Sequence, residues 1–297
     1  MDYEHGATAK SKIGLGCVTF GREIDKGTSF RLMDHAYKNQ ITFLDTAAAY
    51  GNGVSEEIVG AWLKERAFSK KSITVATKIL PPYTPLQIRL SVEESLRRLR
   101  TESIDILYLH RWDEILNNTE PWVTLDKLVK EGKVKKTGVS NFDTEQLLNA
   151  VNLKKINGLD SIRYIQNNNN FAISDLSSGV RDTCRSNEIK IVTFSPLGAG
   201  FLTGKHRDRI QVRSRFAIIP AHQDIYFTEQ AKLRLDKILQ VAERTGYSST
   251  HLALSWALHQ KDVFSVLIGC RTIAHLDQAF AAEKFHSPKI FSELGLI

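Results

Sequence analysis

The sequence predicts a (β/α)8 barrel, and three observations carry that prediction. Short apolar β-rich runs alternate with longer amphipathic stretches; each run ends in a polar or glycine-containing segment; and there are eight runs, the number a closed parallel barrel needs. In order, the runs are Ile13–Phe20, Ile41–Thr46, Ile73–Lys78, Ile104–His110, Lys136–Ser140, Ser161–Asn167, Ile189–Ser195 and Val263–Gly269.

Helix signals fill the gaps. Ser55 followed by Glu56 and Glu57 opens Ile58–Arg66, and Thr84-Pro85 opens Leu86–Arg100 with a capping hydroxyl and a proline preset for the first turn. Pro121–Glu131 stops at Gly132, and Asp143 opens Thr144–Val151. Thr228–Arg244 and Ser248–Gln260 predict an additional helix before the last strand. Between Leu197 and Phe227 no period is readable; Gly198, Gly200, Gly204 and the ionisable residues from Lys205 to Arg215 mark a long loop of the functional kind. The alternative α/β fold, an open dinucleotide-binding sheet, needs GxGxxG after its first strand, and Gly14-Leu15-Gly16 does not continue that way.

The 297 residues suffice for a full core, and no linker-like composition break divides them, so one domain over 1–297 is expected. With 42% hydrophobic and 25% charged residues the chain reads as a globular protein. The net charge of +7 comes without a Lys/Arg block or a nucleic-acid motif, which favours an anionic small ligand over nucleic acid. Cys17, Cys184 and Cys270 are odd in number and widely spaced, suggesting neither a disulfide framework nor a metal site, and a reducing compartment. Residues 1–12 are polar and no apolar run approaches roughly 18 residues, so a cytoplasmic protein without a membrane span is expected.

In a parallel barrel the reacting groups gather at the C-terminal strand ends. Asp45 closes the second run, Lys78 the third and His110 the fourth, while Tyr50 follows Asp45 closely enough to return over the mouth. Singly, each has a plain structural reading: a capping Asp, a snorkelling Lys, a packed Tyr, a hydrogen-bonded core His. Together they make an acid-base set. Reducing a carbonyl requires hydride on carbon and a proton on oxygen, and a phenol donates that proton if an ammonium beside it favours the phenolate. Lys78 supplies the charge, Asp45 holds it, and His110 orients the carbonyl. Phe20 and Trp112 are candidate aromatic walls of a substrate pocket, whereas Trp62, within an amphipathic stretch, reads as core.

From Ile13 to about Ala282 the chain resembles the aldo-keto reductase superfamily. Leu44-Asp45-Thr46-Ala47 with Tyr50-Gly51, Ala76-Thr77-Lys78 and Tyr108-Leu109-His110 are similar to its signatures, which implies that Asp45, Tyr50, Lys78 and His110 are catalytic and that Tyr50 and His110 meet the substrate. Gly138-Val139-Ser140-Asn141 and Gln166 resemble the segments that grip a nicotinamide. Phe194-Ser195-Pro196-Leu197-Gly198-Ala199-Gly200, running on to Lys205, resembles the pyrophosphate-covering loop, and Gly269-Cys270-Arg271-Thr272 the adenosine segment. The resemblance further implies cofactor contacts at Gly16, Cys17, Val18, Asp45, His275 and Gln278. It implies NADP, with Arg271 on the 2′-phosphate and NAD as the alternative, and a small-molecule carbonyl or alcohol as substrate. Two departures stand out: Gln278-Ala279 occupies the place of the family's Glu-Asn, and Asn167–Asn170 is a run of four asparagines. Sugars, aromatic aldehydes and ketosteroid-like ketones stay open as substrates, as do the reaction direction and the oligomeric state. The competing functions are a nicotinamide-occupied regulatory or scaffold subunit and a barrel aldolase or isomerase using Lys78 as a Schiff-base nucleophile. No metal is expected.

Overall fold

A computed structural model describes residues 11–66, 72–159, 162–207, 209–212 and 214–296. Eight parallel strands, β1 (Ile13–Gly16), β2 (Phe43–Asp45), β3 (Thr74–Ile79), β4 (Ile104–Leu109), β5 (Val134–Ser140), β6 (Tyr164–Asn168), β7 (Lys190–Phe194) and β8 (Val263–Gly269), close into a barrel in sequence order. All eight predicted runs overlap a strand. Most strands are shorter than their runs: β1 ends at Gly16, four residues before Phe20. Ser161, the first residue of the sixth run, lies outside the described residues, as do 1–10 of the polar N-terminal segment.

The helices, except those that follow Gly53, Thr119 and Ala221, begin where a side chain satisfies a free N–H group of the first turn. Before β5 these are α1 (Lys26–Lys38), α2 (Val54–Glu65), α3 (Pro85–Leu99) and α4 (Glu120–Lys130). Thr84 caps α3 with Pro85 behind it, and Asp25 caps α1, a helix the sequence reading did not identify. In α5 (Thr144–Ile156), Asp143 and Gln146 form a reciprocal capping box. Next comes α6 (Ser178–Ser186), also not foreseen. The stretch after β7 holds α7 (Arg215–Ile218) and α8 (His222–Tyr226), then, where helix was predicted, α9 (Glu229–Thr245) and α10 (Ser249–Leu258), capped by Thr228 and Ser248. After β8 come α11 (Ile273–Lys284) and α12 (Pro288–Glu293).

The stretch read as aperiodic is therefore partly helical. Its order comes from an aromatic cluster in which the Phe216 ring lies 5.1 Å from Phe227 and 6.0 Å from Tyr226, and Phe201 5.5 Å from Phe227. These contacts join Leu235, Ile238 and Leu252 of α9 and α10 in a core separate from the barrel. Aromatic packing between short turns leaves no period in the sequence.

Strand alternation divides the barrel walls into two faces. Inward, Ala76, Ile106, Tyr108, Tyr164, Val192 and Leu267 fill the lumen. Above this plug, register places Gly16 beside Asp45 and Gly269, Lys78 beside Tyr108, and Ser140 beside Gln166. The polar residues thus stand on a dry floor at the C-terminal mouth.

Candidate active site

Asp45 and Lys78 lie at the ends of β2 and β3, each 1% exposed, and form an ion pair at 2.5 Å. An ammonium has three N–H donors, and here each has an acceptor: Asp45 Oδ1, the Thr46 carbonyl at 2.9 Å and the Tyr50 hydroxyl at 3.3 Å. The other carboxylate oxygen of Asp45 accepts from Gln166 Nε2 at 2.7 Å. Full satisfaction is what makes two buried charges tolerable. Burial pushes the Asp45 carboxyl up against the opposing pull of Lys78 and Gln166. Burial would depress Lys78, but the charges of Asp45 and Tyr50 outweigh it and hold the ammonium above its ordinary range.

Tyr50 opens a tight 3-10 turn, Tyr50–Gly53, in which Gly51 and Asn52 take left-handed backbone angles, and the turn brings the phenol back over Lys78. Because Lys78 donates to the phenolic oxygen, the phenol's own proton is directed elsewhere. Lys78 favours the phenolate, as the sequence predicts, but it does not decide the balance. Instead, burial dominates, Lys78 opposes it only in part, and the phenol is held above its usual value, protonated at neutral pH.

His110 follows β4 and meets the Tyr50 ring edge-on, centroids 6.0 Å apart. Its Nδ1 is buried with no hydrogen-bond partner. Burial first, then the charges of Lys78 and Arg111, push the imidazole down to about 3, so it is neutral above that pH. The unfolded chain binds this proton near 6.5 and the folded chain does not, so stability is full above 6.5 and lost as pH falls toward 3. His110→Asn is expected to flatten the acid limb by about 2 kcal/mol between about pH 7 and pH 5. Denaturant titrations at both values check this, and superimposable limbs would refute it.

Around these four, the mouth has a bare side and a basic side. Gly16 and Gly269 are neighbours in adjacent strands, and a methyl group placed on Gly269 would meet only Val18, at 3.8 Å. This leaves a shelf on which a flat ring can lie. Ser140 donates to the Gln166 carbonyl at 2.8 Å, and the Asn141 amide donates to the His110 carbonyl at 2.9 Å, tying β4, β5 and β6 together at the rim. Exposed Lys205 and half-buried Arg271 both lie near His275, and both cations lower its imidazole after burial does. Gln278 is exposed on α11, while Ala279 packs inward.

Several expectations need correction. Phe20 is 0% exposed and belongs to the core, because the chain turns inward after β1, so it cannot wall a pocket. Cys17 is also fully buried, its thiol pushed up by burial, leaving only its backbone near the mouth. The amides of Gly198 and Gly200 donate to the carbonyls of Ser195 and Leu197, so their N–H groups close the turn instead of facing a phosphate. Trp112 is half-buried against Phe142, ring centroids 5.2 Å apart. Phe194, Ser195 and Leu197 are half-buried, and Pro196 is buried.

The sequence reading missed a hub at Glu23. Its buried carboxylate takes Arg22 at 2.7 Å, Arg215 at 2.8 Å and Arg271 at 3.9 Å, joining the loop after β1, the excursion after β7 and the loop after β8. Tyr226 was missed too; its hydroxyl lies 3.1 Å from Asn168 Oδ1, and Asn170 donates to it. The asparagine run is therefore a bracket for the excursion. Asn169, within the run, is fully buried with both amide atoms unpaired.

Comparison with known proteins agrees with the geometry. The model of the aldo/keto reductase family matches residues 12–290. The chain is 28% identical over 294 residues to the uncharacterised oxidoreductase YrpG of Bacillus subtilis, covering 92% of this chain and 87% of that one. It is 29% identical to the probable aldo-keto reductase 1 of Glycine max over 287 residues, covering 92% and 80%, and 28% identical to the norsolorinic acid reductase of Aspergillus flavus over 295 residues, covering 92% and 73%. With the match running through all eight strands and the four mouth residues, the chain belongs to the aldo/keto reductase family of oxidoreductases.

Proposed function

We propose that this protein is an NADP(H)-dependent reductase that reversibly converts the carbonyl of a small molecule to an alcohol, with Tyr50 as proton donor. The observation that carries the reading is the hydrogen-bonded chain Gln166–Asp45–Lys78–Tyr50, ending in a phenol whose proton is free to leave the chain. A bound nicotinamide supplies or accepts the hydride. The protein's own groups do the rest. Neutral His110 offers a ring nitrogen to the carbonyl oxygen, Tyr50 gives its proton as negative charge develops there, and the Lys78 ammonium stabilises the phenolate left behind. In the reverse direction the same phenolate accepts the alcohol proton.

The residues present fit a nicotinamide dinucleotide. The Gly16–Gly269 shelf admits a planar ring. The Asn141 amide donates to the His110 carbonyl and to Ser140, and the Gln166 amide donates to Asp45, which leaves both side-chain carbonyl oxygens to accept from a carboxamide. Lys205 and Arg271 supply positive charge for the phosphates. Fluorescence titration with NADPH and NADH, followed by an absorbance assay on aldehydes, ketones and sugars, tests the reading. NADPH should bind at least about tenfold more tightly than NADH, and Arg271→Leu should erase most of that preference, since a charge-assisted contact contributes about 1.5–3 kcal/mol. Absence of binding by either dinucleotide would overturn the reading.

A further inference from the structure

The reacting chain is held from outside the barrel by the first turn of α2. Thr46, next to Asp45, lies 2.8 Å from the Ser55 hydroxyl, which donates to the Cys17 carbonyl at 2.8 Å. Thr77, next to Lys78, donates to Glu56 Oε1 at 2.6 Å. The second oxygen of Glu56 takes Arg98 Nε of α3 at 2.6 Å. The stem of Arg98 then lies against Gly53, the last residue of the Tyr50 turn, so closely that a methyl group there would stand 2.7 Å from Arg98 Cδ; Gly53 also has a φ of +89°, which disfavours any side chain.

Glu56 is 0% exposed, and strand alternation explains why it meets Thr77 while Lys78 points into the lumen. A buried carboxylate is costly unless both oxygens are engaged, and Arg98 is the one cation paired with Glu56 among the described residues. One side chain therefore grips the strand of Lys78 and, through Arg98, the turn of Tyr50. We propose that the Glu56–Arg98 pair positions Tyr50 against Lys78, acting through Thr77 and Gly53 without touching substrate or cofactor.

The Lys78–Tyr50 contact, 3.3 Å, is already at the long end of a hydrogen bond, so a small outward shift of the turn removes it. The titratable groups facing the phenol are Lys78 from β3, Asp45 from β2, Cys17 from β1 and His110 from the end of β4. Of these, Lys78 is the one cation that favours ionisation of the phenol, so releasing it leaves burial opposed by nothing of comparable size. The phenol should then ionise at higher pH.

The test uses Glu56→Gln, Arg98→Met, Arg98→Lys and Thr77→Val in the full chain. Its kinetic arm rests on the reductase reading; its spectroscopic arm does not. Glu56→Gln and Arg98→Met should lower kcat about tenfold with KM and NADPH affinity within about twofold of wild type. They should raise the midpoint of the alcohol-oxidation pH profile by at least about half a unit. Ultraviolet difference titration of the phenol against a Tyr50→Phe background should show the same upward shift. Arg98→Lys should restore most of both effects, which a packing defect alone would not predict. A folded Glu56→Gln with wild-type kcat and an unmoved phenol titration overturns the proposal. Should Glu56→Gln fail to fold, Arg98→Met and Thr77→Val decide it on the same readouts. If wild type turns over no carbonyl, the reductase reading fails, and the phenol titration still decides the clamp.

Discussion

Tyr50→Phe is expected to lower kcat for carbonyl reduction by a factor of about 10³, within the range of general acid catalysis, while NADPH binds as to wild type. The substitution removes one oxygen atom. The ring, its edge-on contact with His110 and the stacking of the Lys78 ammonium, 4.8 Å from the ring centroid, are all retained. What disappears is the only group in the hydrogen-bonded chain that has a proton to give outward, because Lys78 spends its three on Asp45, Thr46 and Tyr50. His110, held down to about 3, carries no spare proton at neutral pH to take over. Single-turnover absorbance measurements with pre-bound NADPH check the prediction. A rate within tenfold of wild type would assign the proton to another group.

Lys78→Met is expected to abolish turnover and to cost about 3–5 kcal/mol of stability as well, because it leaves a carboxylate buried with Gln166 as its sole side-chain donor. The two losses separate on restoring neutrality: adding Asp45→Asn to Lys78→Met should recover part of the stability and none of the activity. Thermal and denaturant unfolding of wild type, single and double variants measure the first; the carbonyl assay measures the second. A stable Lys78→Met protein would mean that Asp45 takes up a proton at little cost once the ammonium is gone, and the predicted stability loss would fail.

The number and order of the strands were legible because alternation between apolar β-rich runs and capped amphipathic stretches is a local pattern, and strand-end residues follow from it. Asp45, Lys78 and His110 were readable for that reason. Two of the helices that escaped, α6 and α11, have faint apolar faces. In α6 the buried residues are Val180, Thr183 and Cys184, and in α11 two of three are alanines. Support for the site was illegible on different grounds: Arg98 reaches Glu56 across 42 positions and Arg215 reaches Glu23 across 192, and no local period reports such a pairing. Phe20 misled because the apolar run continues past the point where hydrogen bonding between β1 and its neighbours ends. The ionisation of Tyr50 was legible only in part because a sequence shows the neighbouring cation and hides the burial that outweighs it.

The bond from Gln166 to Asp45 crosses the lumen from the sixth strand to the second. The four mouth residues all come from the N-terminal half of the barrel, so a fragment of that half would already contain every group proposed to react. It would lack the strut that satisfies the second oxygen of Asp45. Under the proposed mechanism the reacting groups come from one half of the barrel and part of their electrostatic support from the other, so the site is whole only when the two ends of the sheet have met.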